Sequence, residues 1–203
     1  MAGQSSTDRR ARRMESRRGL ILDAAAAEFA EVGYERATLE RIGDRVGLSK
    51  ASVYYYVQDG KPQLLVDLVA RVVDEVEARV AAQTTDDTSP VARLHAFVTA
   101  HVEVANTTPE GRLLSENLDE LMSSDSAAEP RHRYERLLTA IIDDGIAAGQ
   151  FQDLPRRPVV KLILGALNPV RLWHDPAGAI SLEDVIDIAL SLLLAGLRDA
   201  RDE

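Results

Sequence analysis

The chain has no cysteine among its 203 residues. A disulfide framework, a thiolate metal site and a cysteine nucleophile are therefore excluded. No apolar run approaches the roughly 18–20 residues that cross a bilayer. The apolar stretch Leu20–Ala30 is interrupted by Asp23 and Glu28, unlike the core of a signal peptide. We expect a cytoplasmic protein with no membrane partner.

Motifs for catalysis are lacking as well. The sequence has no glycine-rich phosphate loop, no Gly-x-Ser-x-Gly turn and no helix with paired metal ligands. The four histidines are His95, His101, His132 and His174. None of them forms a pair with metal-ligand spacing, since His95 and His101 lie on different faces of a helix. We expect neither an enzyme nor a bound metal or cofactor.

Charge is divided unevenly along the chain. The net charge is −9, yet residues 1–61 contain 11 Lys and Arg against 9 Asp and Glu, whereas residues 62–203 contain 13 against 24. A basic front on an acidic body is typical of a protein that presents one domain to nucleic acid. A solubilising surface with a charged tail has the same distribution, so charge alone leaves both interpretations open.

Apolar periodicity predicts an all-α fold of about nine helices without a convincing alternating strand. We expect a disordered arginine-rich arm over residues 1–15, a first helical domain over 16–62 and a second over 63–203. The eighth helix is expected over about 158–173, with a kink at Pro169 because proline removes a backbone hydrogen bond.

Two kinds of residue mark the predicted helix ends. Gly33 is expected to end the first helix in the left-handed conformation. Ser181 is expected to begin the last helix, with Asp184 as the acidic partner of a capping box.

The segment 38–57 has the pattern of a helix-turn-helix. Two short predicted helices, capped by Thr38 and Ser49, are joined by the tight turn Val46-Gly47-Leu48-Ser49. In such a unit the second helix enters the major groove with its N-terminal residues on the base edges. Val53 and Val57, four residues apart, are expected to face the core, which turns the other side of this helix outward.

Residue types on that outer side suit contacts with DNA. Exposed tyrosines are costly unless they meet a partner, and their hydroxyls donate to phosphate oxygens. We therefore predict contacts for Tyr54 and Tyr55, although the alternative is a packed core position, which the pattern favours for Tyr56. Thr38 offers a hydroxyl and free backbone N–H groups to a phosphate, or is only a helix cap. Lys61 offers a positive charge.

The run Ile21–Leu65 resembles the N-terminal domain of the TetR family of bacterial regulators. The matching positions are Ile21-Leu22-Asp23-Ala24-Ala25, Phe29, Gly33-Tyr34, Thr38, Ile42, Val46-Gly47-Leu48-Ser49, Val53-Tyr54-Tyr55-Tyr56, Lys61 and Leu64. The resemblance implies a homodimer that binds double-stranded operator DNA. It departs at Val57 and Ala51, where the family usually has phenylalanine and glycine, and at an extra Gly60.

This resemblance also implies which residues contact DNA. Residues at the start and on the outer side of the second helix match positions that face DNA, while Thr38, Tyr56 and Lys61 match positions that contact the phosphate backbone. The full predicted set is Thr38, Ser49, Lys50, Ala51, Ser52, Tyr54, Tyr55, Tyr56, Lys61, Arg12, Arg13 and Arg17. The three arginines belong to the arm, which resembles extensions that reach a neighbouring minor groove. Non-specific attraction to phosphates is the alternative for the arm.

The last two predicted helices are apolar over wide faces. A helix of that kind must be buried on more than one side, either at the centre of a monomer or at a seam between two chains. Because helix-turn-helix proteins read paired half-sites through two-fold symmetry, we expect a homodimer. The resemblance implies a four-helix bundle built from these two helices of each subunit.

A ligand cavity is expected among helices four to eight. Gly165-Ala166-Leu167-Asn168, followed by Trp173, resembles a TetR subgroup that includes ketosteroid-catabolism and fatty-acid-degradation repressors, which respond to acyl-CoA thioesters. The predicted ligand contacts are Leu118, Arg131, Tyr134, Asn168 and Trp173.

We therefore expect residues 16–62 to form the helix-turn-helix DNA-binding domain and residues 63–203 the ligand-binding and dimerisation domain. The expected function is a repressor that binds palindromic operator DNA and is released by a small hydrophobic effector, for which an acyl-CoA thioester is one candidate. The alternative is a DNA-binding regulator without a small-molecule effector, controlled by a protein partner.

Overall fold

The computed structural model describes residues 2–116 and 125–198. The elements are α1 (Ala2–Val32), α2 (Leu39–Arg45), α3 (Lys50–Tyr56), α4 (Lys61–Gln83), α5 (Pro90–Thr107), α6 (Pro109–Glu116), a 3-10 turn (Asp125–Ala127), α7 (Ala128–Ala147), α8 (Arg156–Leu167), α9 (Val170–Trp173) and α10 (Leu182–Leu197). Over these two ranges there is no β-strand, so the predicted all-α fold is confirmed.

Helix α1 is longer than predicted. The arm expected to be disordered over residues 1–15 is helical from Ala2 onward and continues into the buried part of α1. The correction has a local reason. No proline occurs before Val32, and arginine, alanine, methionine and glutamate are all good helix formers. At its other end α1 stops as predicted, because Gly33 takes the left-handed conformation with φ 81°.

The predicted eighth helix is two helices. Helix α8 ends at Leu167 and the single turn α9 begins at Val170, with Asn168 and Pro169 between them. Proline has no N–H to donate, so the break lies where the kink was expected. The last helix, α10, begins as predicted, since Ser181 and Asp184 form a reciprocal capping box.

Two apolar clusters meet inside α4. The first half of α4, up to Val73, packs with α1, α2 and α3, and the second half, from Val76, packs with α5, α7, α8 and α10. Leu113 and Leu114 of α6 belong to the first cluster, although their helix follows α5. Both α4 and α6 therefore connect the N-terminal helices to the C-terminal domain.

Large apolar side chains are exposed on the last helices. Leu162 of α8 is 73 % exposed and Leu192 of α10 is 70 % exposed, and Ile188 lies one turn before Leu192 on the same face. None of the described helices is long and apolar enough to cross a membrane. Exposed apolar side chains therefore lie on both α8 and α10.

Candidate DNA-binding surface and ligand cavity

Short-range hydrogen bonds build the helix-turn-helix. The hydroxyl of Thr38 accepts from the backbone N–H of Arg41 at 3.3 Å, and the hydroxyl of Ser49 accepts from that of Ser52 at 3.2 Å. Gly47 has φ 65°, which lets the chain reverse between α2 and α3. Thr38 and Ser49 are therefore helix caps and remain exposed.

Gly43, inside α2, is a residue that sequence analysis missed. A Cβ atom there would collide with the carbonyl oxygen of Leu48 and lie 3.1 Å from Cγ2 of Val53. The backbone N–H of Leu48 donates to the carbonyl of Gly43 at 2.9 Å. Only glycine permits this approach of α2 to the turn. The available signal was a glycine in the middle of a short helix, where it costs about 1 kcal/mol of helix propensity and so needs a packing reason.

The outer side of α3 is open, as predicted. Val53 and Val57 are buried, whereas Tyr54 is 45 % and Tyr55 57 % exposed. Tyr56 is half-buried and meets the ring of Tyr55 edge to face at 5.2 Å. Together with exposed Lys50 and Ala51 and half-buried Ser52, these side chains form the α3 face.

The two lysines of the predicted set have intramolecular partners. Nζ of Lys50 lies 3.2 Å from a carboxylate oxygen of Glu40. Nζ of Lys61 donates to the carbonyls of Tyr34 at 2.7 Å and Glu35 at 3.2 Å, and stands over the Tyr34 ring. Lys61 therefore fastens the start of α4 to the turn after α1, a contact that its sequence position did not reveal.

The arginines of α1 differ in their surroundings. Arg12, Arg13 and Arg17 are exposed, whereas Arg18 donates to Asp67 of α4 at 2.7 Å. The exposed three extend α1 as a basic helix, and Arg18 attaches that helix to α4.

A cavity lies among α4, α5, α6, α7 and α8. Unfilled space in it is about 790 Å³, including the part open to solvent. Its wall is largely apolar and consists of Val69, Val72, Val73, Val76, His101, Ala105, Gly111, Leu114, Ser115, Arg131, Tyr134, Glu135, Leu164 and Asn168. A mostly apolar lining with a few polar groups is typical of small-molecule sites.

The structure brings together three of the five predicted ligand residues. Arg131, Tyr134 and Asn168 line the cavity. Trp173 is not among the lining residues and is 60 % exposed on α9. Its placement differs from the expectation because the break at Pro169 ends α8 before Trp173. Leu118 lies outside the described residues.

His101 and Tyr134 form a polar pair in the cavity wall. Nδ1 of His101 lies 2.6 Å from the Tyr134 hydroxyl, and the Phe97 ring packs at a tilt near both rings. Burial lowers the pKa of His101 to about 4, although the backbone of Leu167 opposes that shift. Burial also raises the pKa of Tyr134. Both side chains are therefore uncharged at neutral pH. Sequence analysis had assigned His101 no role.

Arg71 of α4 connects the cavity wall to α1. Its Nη1 lies 2.5 Å from a carboxylate oxygen of Asp23 in α1 and 3.0 Å from one of Glu110 in α6. Glu110 precedes Gly111, which lines the cavity. One guanidinium thus joins α1, α4 and α6.

Comparison with known families matches both parts of the chain. Residues 21–68 match the family model described as bacterial regulatory proteins, tetR family. Residues 87–197 match the model described as tetracyclin repressor-like, C-terminal domain.

Individual proteins are similar over nearly the whole length. The chain is 26 % identical over 195 residues to the HTH-type transcriptional repressor KstR2 of Mycobacterium tuberculosis H37Rv, covering 94 % of this chain and 97 % of KstR2. The structure resembles the fatty acid degradation regulator FadR from Bacillus halodurans, with a TM-score of 0.76, 25 % identity, and coverage of 89 % and 96 %. It also shares the fold of AibR, solved in complex with isovaleryl coenzyme A and operator DNA, with a TM-score of 0.72, 22 % identity, and coverage of 88 % and 98 %.

Proposed function

The chain belongs to the TetR family of transcription regulators, and from that premise we propose a ligand-responsive repressor that binds palindromic operator DNA as a homodimer. Members of the family are DNA-binding regulators and not enzymes. The observation that carries the proposal is the course of α4, which begins beside the helix-turn-helix and lines the cavity in its middle part. One rigid element therefore touches both functional regions.

DNA recognition is assigned to the α3 face. Tyr54 and Tyr55 supply ring surface and hydroxyls to the groove, and Lys50 supplies a charge once it exchanges Glu40 for a phosphate. Thr38 and Ser49 bring the N-termini of α2 and α3 to the backbone, where unpaired N–H groups favour anions. Tyr56 and Lys61 stay in the predicted set as contacts to phosphates.

The basic extension of α1 is assigned to a neighbouring part of the duplex. Arg12, Arg13 and Arg17 are exposed on it. Arginine suits the negative potential of a narrow minor groove and also adds non-specific attraction. Comparing the salt dependence of DNA binding between the unmodified chain and arginine variants measures how many phosphates these arginines contact.

The homodimer is assigned to α8 and α10. Leu162, Ile188 and Leu192 are exposed there, and such an apolar patch needs a partner surface. Two copies related by two-fold symmetry bury the patch against itself and present two α3 faces, as a palindrome requires.

An acyl-CoA thioester is the effector class we propose. The cavity offers an apolar wall to an acyl chain, and Arg131 at that wall is a cation suited to a phosphate. Two similar proteins favour the same class, since FadR is a fatty acid degradation regulator and AibR was solved with isovaleryl coenzyme A.

Release of DNA follows if the effector binds the DNA-free conformation more tightly. Four valines of α4 line the cavity, so a ligand there pushes on α4 directly. Lys61 and Arg18 then transmit the displacement to the turn after α1 and to α1 itself. The two α3 faces lose the separation that matches one helical turn of DNA.

Fluorescence anisotropy on the DNA upstream of the protein's own gene tests the proposal. We expect tight binding relative to a scrambled duplex at two salt concentrations, with two or four chains per site, and release by octanoyl-CoA. Equal, salt-sensitive binding to both duplexes contradicts operator recognition at this site. Specific binding that acyl-CoA thioesters leave unchanged contradicts the effector class and favours control by a protein partner.

A further inference from the structure

The cavity wall contains a polar pair that apolar packing does not require. His101 is buried and the Phe97 ring lies tilted near its own, yet within residues 2–116 and 125–198 the one side chain that hydrogen-bonds to it is Tyr134. Its Nε2 atom is buried without a hydrogen-bond partner of good geometry in the described ranges, even though the Leu167 backbone approaches the ring. A buried polar group left in this state costs free energy and calls for an explanation.

The position of the pair supplies that explanation. His101 of α5, Tyr134 of α7 and Asn168 after α8 all line the same cavity, and most of the other lining side chains are apolar. Tyr134 keeps some accessible surface, as a lining residue should, while its surroundings are dry enough to raise the pKa of its hydroxyl. A few convergent polar groups in an apolar pocket fix the orientation of a ligand.

We propose that His101 and Tyr134, assisted by Asn168, recognise an uncharged oxygen function, a carbonyl or a hydroxyl, carried by an otherwise apolar effector. This inference rests on the proposed sensing of a ligand in the cavity and specifies the chemistry that the cavity selects.

Charge and hydrogen bonding both favour a neutral group. The pair carries no charge at neutral pH, so it offers a carboxylate no counter-ion, and burial of an unpaired carboxylate is strongly unfavourable. An imidazole and a phenol each donate and accept hydrogen bonds. A carbonyl accepts a hydrogen bond from the pair, and a hydroxyl can accept one or donate one. The wall also contains Arg131 and Glu135, whose opposite formal charges sum to zero.

Matched eight-carbon probes test the inference apart from coenzyme A. Octan-2-one, octan-1-ol and octanoate are titrated at pH 8 into the full-length protein labelled with ¹⁵N at its histidines, and the ring resonances are followed by NMR. The His101 signal is assigned with the variant His101→Gln. We expect both neutral probes to shift it and to bind about tenfold or more tightly than octanoate.

Variants show whether His101 and Tyr134 are responsible for binding the neutral probes. Tyr134→Phe removes the hydroxyl and keeps the ring, so the Kd of octan-2-one is expected to rise about tenfold, and His101→Gln should weaken binding in the same direction. Thr139→Val is the control. It removes a hydroxyl of α7 that donates to the backbone carbonyl of Glu135 and takes no part in the polar pair. Circular dichroism checks that each variant is folded. If Tyr134→Phe does not fold, the Kd of octan-2-one for His101→Gln tests the role of the pair.

The outcomes separate this inference from the proposed function. Absence of binding by both neutral probes, equal binding of octanoate, or unchanged Kd values in the folded variants would each overturn the role of the pair. Release of DNA by octanoyl-CoA alongside such a result leaves the proposed function standing. Conversely, binding of the neutral probes without any effect of octanoyl-CoA supports the pair and overturns the effector class.

Discussion

The buried carboxylate of Glu28 in α1 forms an ion pair with Arg45 of α2 at 2.8 Å. Arg41, one turn earlier on α2, pairs with the other oxygen of the same carboxylate. Glu28 is buried, whereas both arginines reach solvent. Leaving the carboxylate without its arginines should therefore cost more free energy than leaving the arginines without the carboxylate. They orient α2, and through it α3, on α1.

Removal of both arginines is therefore expected to harm the protein more than removal of the acid. The double variant Arg41→Gln/Arg45→Gln leaves a buried carboxylate unpaired and should lower Tm by on the order of 5 °C. Glu28→Gln leaves arginines that water can solvate, and should lower Tm less. Adding Glu28→Gln to the double variant should restore part of the loss in a thermal melt. A further decrease on that addition would show that the ion pair does not account for the effect.

Two glycines in helices offer a matched pair of substitutions. Gly43→Ala places a methyl group against the Leu48 carbonyl and should lower operator affinity at least tenfold and also lower Tm. Gly19→Ala places the same group where nothing lies within 4 Å, and should stabilise α1 by up to about 1 kcal/mol. Anisotropy and thermal melts measure both effects. Normal DNA binding by Gly43→Ala would mean that α2 can move away from the turn without consequence.

The sequence predicted those features that depend on local chemistry. Helix caps such as Ser49, the end of α1 at Gly33 and the buried stripe of α3 follow from propensities and periodicity within a few residues. The exposed side of α3 was predictable for the same reason, since Val53 and Val57 fix which side is inward.

Features that depend on distant contacts were not predictable. Glu28 and its partner Arg45 are 17 residues apart in the sequence, and His101 and Tyr134 are 33 residues apart. No local pattern distinguishes these residues from a surface acid or a core histidine. The helical arm was missed for another reason, because Arg-rich composition resembles disorder even where every residue tolerates a helix.

The apolar face of α8 and α10 leads to a prediction about assembly. Leu192→Glu puts a charge among the exposed apolar side chains of α10 and should convert the proposed dimer to monomer in analytical ultracentrifugation, with loss of specific DNA binding. Leu20→Glu is the control, because Leu20 is also exposed but lies on α1. A dimer that persists in Leu192→Glu would place the subunit interface elsewhere.

The buried histidine leads to a prediction about pH. The pKa of His101 is about 4 in the folded chain against an ordinary value of 6.5, so between these values the unfolded chain binds a proton that the folded chain does not. Stability should therefore fall as pH is lowered from 6.5 to 4, by on the order of 3 kcal/mol from this residue. The charged groups that share the cavity wall are Arg131 and Glu135.

Urea denaturation at a fixed protein concentration measures this pH effect. His101→Gln should lose less stability than the unmodified chain over the same pH range, while His95→Gln, at an exposed position on the same helix, should match it. If the free energy of unfolding falls equally with pH in the unmodified chain and in both variants, His101 does not titrate in this way.

Arg71 provides the sharpest test of how the cavity and α1 communicate. It joins Glu110, next to the cavity, to Asp23 of α1, so Arg71→Met should keep DNA affinity nearly unchanged in the absence of effector but weaken the response to effector. Energetic coupling between sites is typically 5- to 150-fold in affinity, and we expect the drop in operator affinity caused by octanoyl-CoA to shrink at least fivefold. Arg79→Met is the matched control, since Arg79 of α4 pairs with Glu75 and Glu103 and not with α1. If octanoyl-CoA lowers operator affinity equally in both variants, transmission is assigned to α4 alone. Helix α4 contacts both the cavity and α1, so this route does not need α6.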